Sequence, residues 1–338
     1  MDFQQALTLH RDGQTDEAER AYEGILLADP KHCGALIQLG SVRVMQGRAA
    51  EAEGLLRQAL VLSPDSAEAH ANLGAALQRQ GRAEEAISEY ERALALNPAI
   101  PHARFALAVC LQTCGRLDAA MTCYDTILYA EPGHAEANYG LAMLLAERGR
   151  SREAIGRLRA AVAADPDFAE ANYELGKLLA GRNRAEEATG CFHRALDVDP
   201  DYVEARLALA KALSQLGRDD EALAAFRAVL AAEAENRDAQ SGIDGILERQ
   251  RRLADASGDG LATSPAAEND ADAQVAMVDT VCQRYQHAEG GAASRSDAGS
   301  RVRSPGSGFR DTGLADCCLV RRPDPVLLQP LLDALEGR

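Results

Sequence analysis

The chain has 338 residues, enough to bury a sizeable core, but it contains no Trp and only 4% aromatic residues. Ala, Leu, Glu and Arg dominate, all good helix formers, which argues against an ordinary mixed α/β enzyme. A net charge of −16 leaves nothing to neutralise phosphates in bulk, so a general nucleic-acid binder is excluded and anionic membrane surfaces are disfavoured.

The amino terminus, MDFQQALTLHRDGQTDEAER, lacks the basic and apolar regions of a secretory signal. No stretch approaches the roughly 18 apolar residues of a membrane span. The eight cysteines are scattered without a CxxC pair, which fits a reduced, cytoplasmic protein.

From the first residue the chain repeats itself. Prolines fall at Pro30, Pro64, Pro98, Pro132, Pro166 and Pro200, each 34 residues after the last. Two alanine columns share that period without exception, Ala18 to Ala222 and Ala35 to Ala239. A leucine column runs Leu39, Leu73, Leu107, Leu141, Leu175 and Leu209, with Gln5 as its exception in the first unit, and the next residue is always Ala or Gly. The mid-unit turn reads Gly13, Gly47, Gly81, Gly115, Gly149, Asn183 and Gly217. Asn183 is informative, because Asn is second only to Gly in the left-handed conformation that ends a helix. A large residue follows at Tyr22, Leu56, Tyr90, Tyr124, Leu158, Phe192 and Phe226. Each unit therefore reads as a helical hairpin, for example Ala67 to Gln80 and Ala83 to Leu96, with i, i+3, i+4 apolar spacing and a proline that breaks the second helix.

After seven hairpins over 1–236, residues 237–254 read as a polar-faced capping helix through Ala239, Ile243, Ile246, Leu247 and Leu253. Residues 255–312, rich in Gly, Ser, Ala and Asp, read as a disordered linker in which Met277 to Tyr285 could form a transient helix. In 313–338 an apolar face from Val326 to Leu335 reads either as a short docking helix or, the expected alternative, as a weakly ordered terminus. Arg301, Arg303 and Arg310 read as charge balance.

These columns resemble the tetratricopeptide repeat family, of bacterial type, over residues 1 to about 236. Units such as HANLGAALQRQGRAEEAISEYERALALNP look like those of protein O-GlcNAc transferase arms. The resemblance implies an all-α, right-handed α-solenoid whose first helices line a concave groove for segments of other proteins. Taking the leucine column as reference, the groove columns carry Phe105, Val109, Tyr139, Met143, Tyr173, Lys177, Leu207 and Lys211. Aromatic and Met side chains offer large apolar area at modest ordering cost. The lysines read as solvated surface or as pairing with a partner's acidic group. Two family binding modes fit poorly. The carboxylate clamp of cochaperones would need Lys and Asn where Ile37, Ser41, Ala71 and Ala75 stand, and the asparagine ladder of glycosyltransferase arms is reduced to Asn72 among Gln4, Gln38, Ala106, Gly140, Glu174 and Ala208.

No nucleotide-binding, zinc-protease or nucleophile-elbow motif occurs. Cys110 and Cys114 lie one turn apart, with Cys123 on the next helix and His102 two turns away; small apolar packing is the expected role, and neither a metal nor a cofactor is. The expected function is a non-catalytic scaffold or adaptor whose groove binds protein or peptide partners. The alternatives are the substrate-recruiting arm of a truncated or separately encoded glycosyltransferase, sulfotransferase or methyltransferase, and self-association.

Overall fold

The computed structural model of the protein describes residues 2–100 and 102–256. The linker, the Met277 to Tyr285 patch, the arginine cluster and the terminal docking helix of the sequence reading lie outside the described residues. The described chain is all α. Seven hairpins pair α1 (Phe3–Arg11) with α2 (Thr15–Ala28), α3 (Cys33–Met45) with α4 (Ala49–Leu62), α5 (Ala67–Arg79) with α6 (Ala83–Leu96), and α7 (Ala103–Thr113) with α8 (Leu117–Ala130). They continue with α9 (Ala135–Glu147) and α10 (Ser151–Ala164), α11 (Ala169–Ala180) and α12 (Ala185–Val198), then α13 (Val203–Gln215) and α14 (Asp219–Ala232), before the capping helix α15 (Arg237–Ala256). Hairpins and cap through Ile246 belong to one compact unit; Leu247–Ala256 is the described part of a second.

The turn column does what its residues allow. Gly13, Gly47, Gly81, Gly115, Gly149 and Gly217 have φ of 71° to 76°, and Asn183 adopts 60°, the left-handed conformation expected of it. A second hinge column caps the other helix ends. His70, Arg104, Asn138, Asn172 and Arg206, spaced by the same period, each donate a hydrogen bond to the carbonyl of the proline six residues earlier, Pro64, Pro98, Pro132, Pro166 and Pro200. Those loop carbonyls would otherwise have no helical partner. Asn138 and Asn172 are fully buried and also donate to His134 and Phe168 carbonyls, at 3.0 Å in both cases.

The bulky column sets the spacing between hairpins. A Cβ on Gly74 would lie 2.9 Å from the Tyr90 ring, and one on Gly176 would lie 2.5 Å from Phe192 of the same hairpin. For Tyr124 and Phe226 the tight approach comes instead from the next first helix, at Gly140 (2.6 Å) and Gly242. By the period, each of these four rings faces one glycine and one alanine: Gly74 and Ala106, Ala108 and Gly140, Gly176 and Ala208, Ala210 and Gly242. Of the two leucines in this column, Leu158 falls opposite Ala142, while Leu56 lies against Gly40, whose Cβ would come within 2.7 Å of it. At the four rings the missing methyl makes room for the side chain, as close packing demands.

Candidate functional site

Each first helix packs against the second helix of its own hairpin and of the preceding one, and α3 touches α5, α5 touches α7, and α11 touches α13. These first helices thus come side by side, and the groove columns fall on that side of the hairpins. Among the groove residues expected from sequence, Lys177 and Lys211 are exposed on it; Phe105, Tyr173 and Leu207 are partly buried; Val109, Tyr139 and Met143 are buried.

A column that sequence reasoning passed over accounts for this gradation. The residue at the start of each first helix, 29 positions after the groove aromatic of the preceding hairpin, is itself often a ring. Phe3 meets His32 at 4.8 Å between centroids, Phe105 stacks on His134 at 5.7 Å, Tyr139 meets Phe168 at 5.0 Å and Tyr173 meets Tyr202 at 5.0 Å. His32 and His134 also cap their helices, accepting from the Ala35 and Ala137 amides. Phe168 and Tyr202 give no side-chain cap; there the capping hydrogen bond is exchanged for ring packing. Phe168 is itself buried and lies against Tyr139, whereas Tyr202 is partly buried, leaving the Tyr173–Tyr202 pair with surface on both rings. The 34-residue period, read across two hairpins instead of within one, carries this signal.

Both lysines are already engaged. The Lys177 ammonium is 2.8 Å from Glu174 and 4.9 Å from the Tyr173 ring centre, a cation–π contact. Lys211 is 2.5 Å from Asp238 at the start of α15 and holds that carboxyl below its ordinary range. Around the tyrosines the charge is negative. Burial, with the Glu174 and Glu204 carboxylates beside it, pushes the Tyr173 hydroxyl up to about 12. Burial raises Tyr139 and Tyr202 as well, with Glu170 and Glu174 adding to both.

The cysteines behave as small apolar groups. Cys110 is buried, which pushes its thiol up to about 12, and burial raises Cys114, Cys123 and Cys191 too. Such thiols stay protonated at neutral pH and are poor nucleophiles and ligands. Among the described residues, no group of three or more His, Cys, Asp or Glu is placed to hold a metal, and no helix is long and apolar enough to cross a membrane.

Comparison with known proteins agrees with this architecture. Models of the tetratricopeptide repeat match residues 31–99, 77–144, 139–190 and 184–243. Among curated proteins none matches the chain. Solved structures similar to it include YrrB, described as a TPR protein with an unusual peptide-binding site; it is 22% identical, over 55% of this chain and 95% of that one, with a TM-score of 0.46. PilF of Pseudomonas aeruginosa is 19% identical over 68% of this chain and 97% of its own, with a TM-score of 0.55. The C-terminal part of a TPR repeat-containing protein from Cytophaga hutchinsonii is 13% identical over 72% and 99%, with a TM-score of 0.57. At these identities the likeness is one of fold.

Proposed function

Because the chain belongs to the tetratricopeptide repeat family, we propose that it is a non-catalytic scaffold that binds polypeptide segments along the face of its first helices. The observation that carries this reading is the Tyr173–Tyr202 pair, two rings in contact that keep accessible surface on that face, with Phe105 and Leu207 also partly exposed to either side. Rings of this kind supply anchoring area at low entropic cost. In the proposed groove Phe105, Tyr173, Lys177, Leu207 and Lys211 touch the bound segment, while Val109, Tyr139 and Met143 support that surface from beneath. Affinity in such a mode comes from a few anchors and not from total area.

The finer likeness to transferase arms rests in this proposal on repeat sequence alone. The ladder column holds Gly140, where Tyr124 leaves no room for any side chain, so packing works against an asparagine there. We place the protein in the cytoplasm on the strength of Cys33, Cys110, Cys114, Cys123 and Cys191, all free thiols.

Site-specific photo-crosslinking in cells tests the groove. A benzoylphenylalanine at Leu207, on the first-helix face, is expected to capture partner polypeptide, whereas one at Tyr129 of α8, 92% exposed, is not. Adducts from position 129 and none from 207 would remove the proposal.

A further inference from the structure

We infer that the segment taken up by the α11–α13 part of this face is basic, an extended polypeptide presenting arginine or lysine side chains to the Tyr173–Tyr202 pair and the glutamates around it. The inference rests on the groove reading above and adds the chemistry of the partner.

Three observations point the same way. First, the face offers ring surface to a cation and already holds one: the Lys177 ammonium sits 4.9 Å from the centre of the Tyr173 ring. A guanidinium stacks on tyrosine more readily still. Second, neither cation among the groove residues is free, whereas two neighbouring carboxylates are. Both lysines that could attract an acidic partner are neutralised within the chain, Lys177 by Glu174 at 2.8 Å and Lys211 by Asp238 at 2.5 Å. Glu170 of α11 and Glu204 of α13, by contrast, have no ion-pair partner among the described residues. Third, those two carboxylates stand next to the same rings: Glu170 is one helical turn before Tyr173 on α11, and Glu204 is two residues after Tyr202 and one turn before Leu207 on α13. A basic side chain entering here meets ring faces and unpaired carboxylates together; an acidic one meets like charge and must first break an internal ion pair. Complementarity of this kind selects partners by sign.

Lys177 then acts as an internal stand-in for the partner's cation. Removing it bares the Tyr173 ring and frees Glu174, so its loss should strengthen binding of a basic segment. A groove selecting acidic segments would respond in the opposite direction.

The test uses the full chain and three fluorescein-labelled peptides that repeat Leu-Arg-Ser, Leu-Gln-Ser or Leu-Glu-Ser, read by fluorescence anisotropy. The arginine peptide is expected to bind tightest and to weaken with added salt. Glu170→Gln with Glu204→Gln should lower its affinity about three- to tenfold, Tyr173→Ala should lower it further, and Lys177→Met should raise it. All four positions lie on the surface or partly buried, and circular dichroism checks that helicity is kept. Equal binding of the three peptides with loss on Tyr173→Ala would overturn the basic selection while leaving the groove standing. No binding of any peptide, or binding indifferent to Tyr173→Ala, would overturn both. Tighter binding of the arginine peptide after Arg301, Arg303 and Arg310 are changed together to Gln would reassign the patch to the chain's own basic segment.

Discussion

The close approach of Phe192 to Gly176 gives a sharp prediction. A methyl there would sit 2.5 Å from Phe192 Cε1 and 2.8 Å from Cδ1, and Phe192 is only 1% exposed, so the ring cannot swing into solvent. Overpacking of this kind costs about 1–3 kcal/mol. Against it stands the gain of Ala over Gly within a helix, about 0.5–1 kcal/mol. Gly176→Ala is therefore expected to be neutral to destabilising by about 2 kcal/mol. Gly190 of α12 is the control: nothing lies within 4 Å of its would-be Cβ, so Gly190→Ala should stabilise by about 0.5–1 kcal/mol. Phe192→Leu should lessen the cost of Gly176→Ala, because the double variant recreates the Ala142 and Leu158 combination of the preceding hairpin. Urea unfolding followed by circular dichroism on the four proteins of the cycle should give a coupling of about 1–3 kcal/mol. If Gly176→Ala stabilises as much as Gly190→Ala, or the coupling vanishes, Phe192 does not limit the space at position 176.

Three further predictions concern the joints between hairpins. Asn172 donates to the Pro166 and Phe168 carbonyls at 3.1 and 3.0 Å in a fully buried position; Asn172→Ala should cost about 1–3 kcal/mol in the same urea assay. Asn172→Asp should cost more at neutral pH, since a buried carboxylate would face those carbonyl oxygens, and should recover in acid. Glu53 is held at about 2 instead of its ordinary 4.5 by hydrogen bonds from Gln80, Arg57 and Arg82. A depressed carboxyl contributes stability above its unfolded value, and that contribution is lost as pH falls from about 4.5 towards 2. The urea midpoint of the protein should drop over that window more than that of Glu53→Gln; parallel curves would show that Glu53 contributes nothing.

The repeat architecture was legible because its columns answer local demands. Gly13 to Gly217 and Asn183 must accept positive φ, the prolines must break helices, and the alanines must let helices meet, each demand falling on one residue type. What escaped reading is where different residue types do one job. His70, Arg104, Asn138, Asn172 and Arg206 have little in common but a donor within reach of a proline carbonyl. The rings at 134, 168 and 202 do their work 29 residues away from their partners, so a column read within one hairpin treats Tyr139 and Tyr173 alike. The structure separates them: Phe168 is buried against Tyr139, while Tyr202 leaves surface on Tyr173. Likewise Lys177 and Lys211 read as free surface charges until their partners, Glu174 and Asp238, are seen. Gly140 looks like a lapse in an asparagine column and is instead the space Tyr124 occupies.

The central claim is that one face, formed by the first helices, receives a partner polypeptide. Amide hydrogen exchange on the full chain, with and without a crosslink-identified partner at saturation, tests it most directly. Slowed exchange is expected in α7, α11 and α13, with α8, α10 and α12 unchanged. Protection confined to the second helices would contradict it.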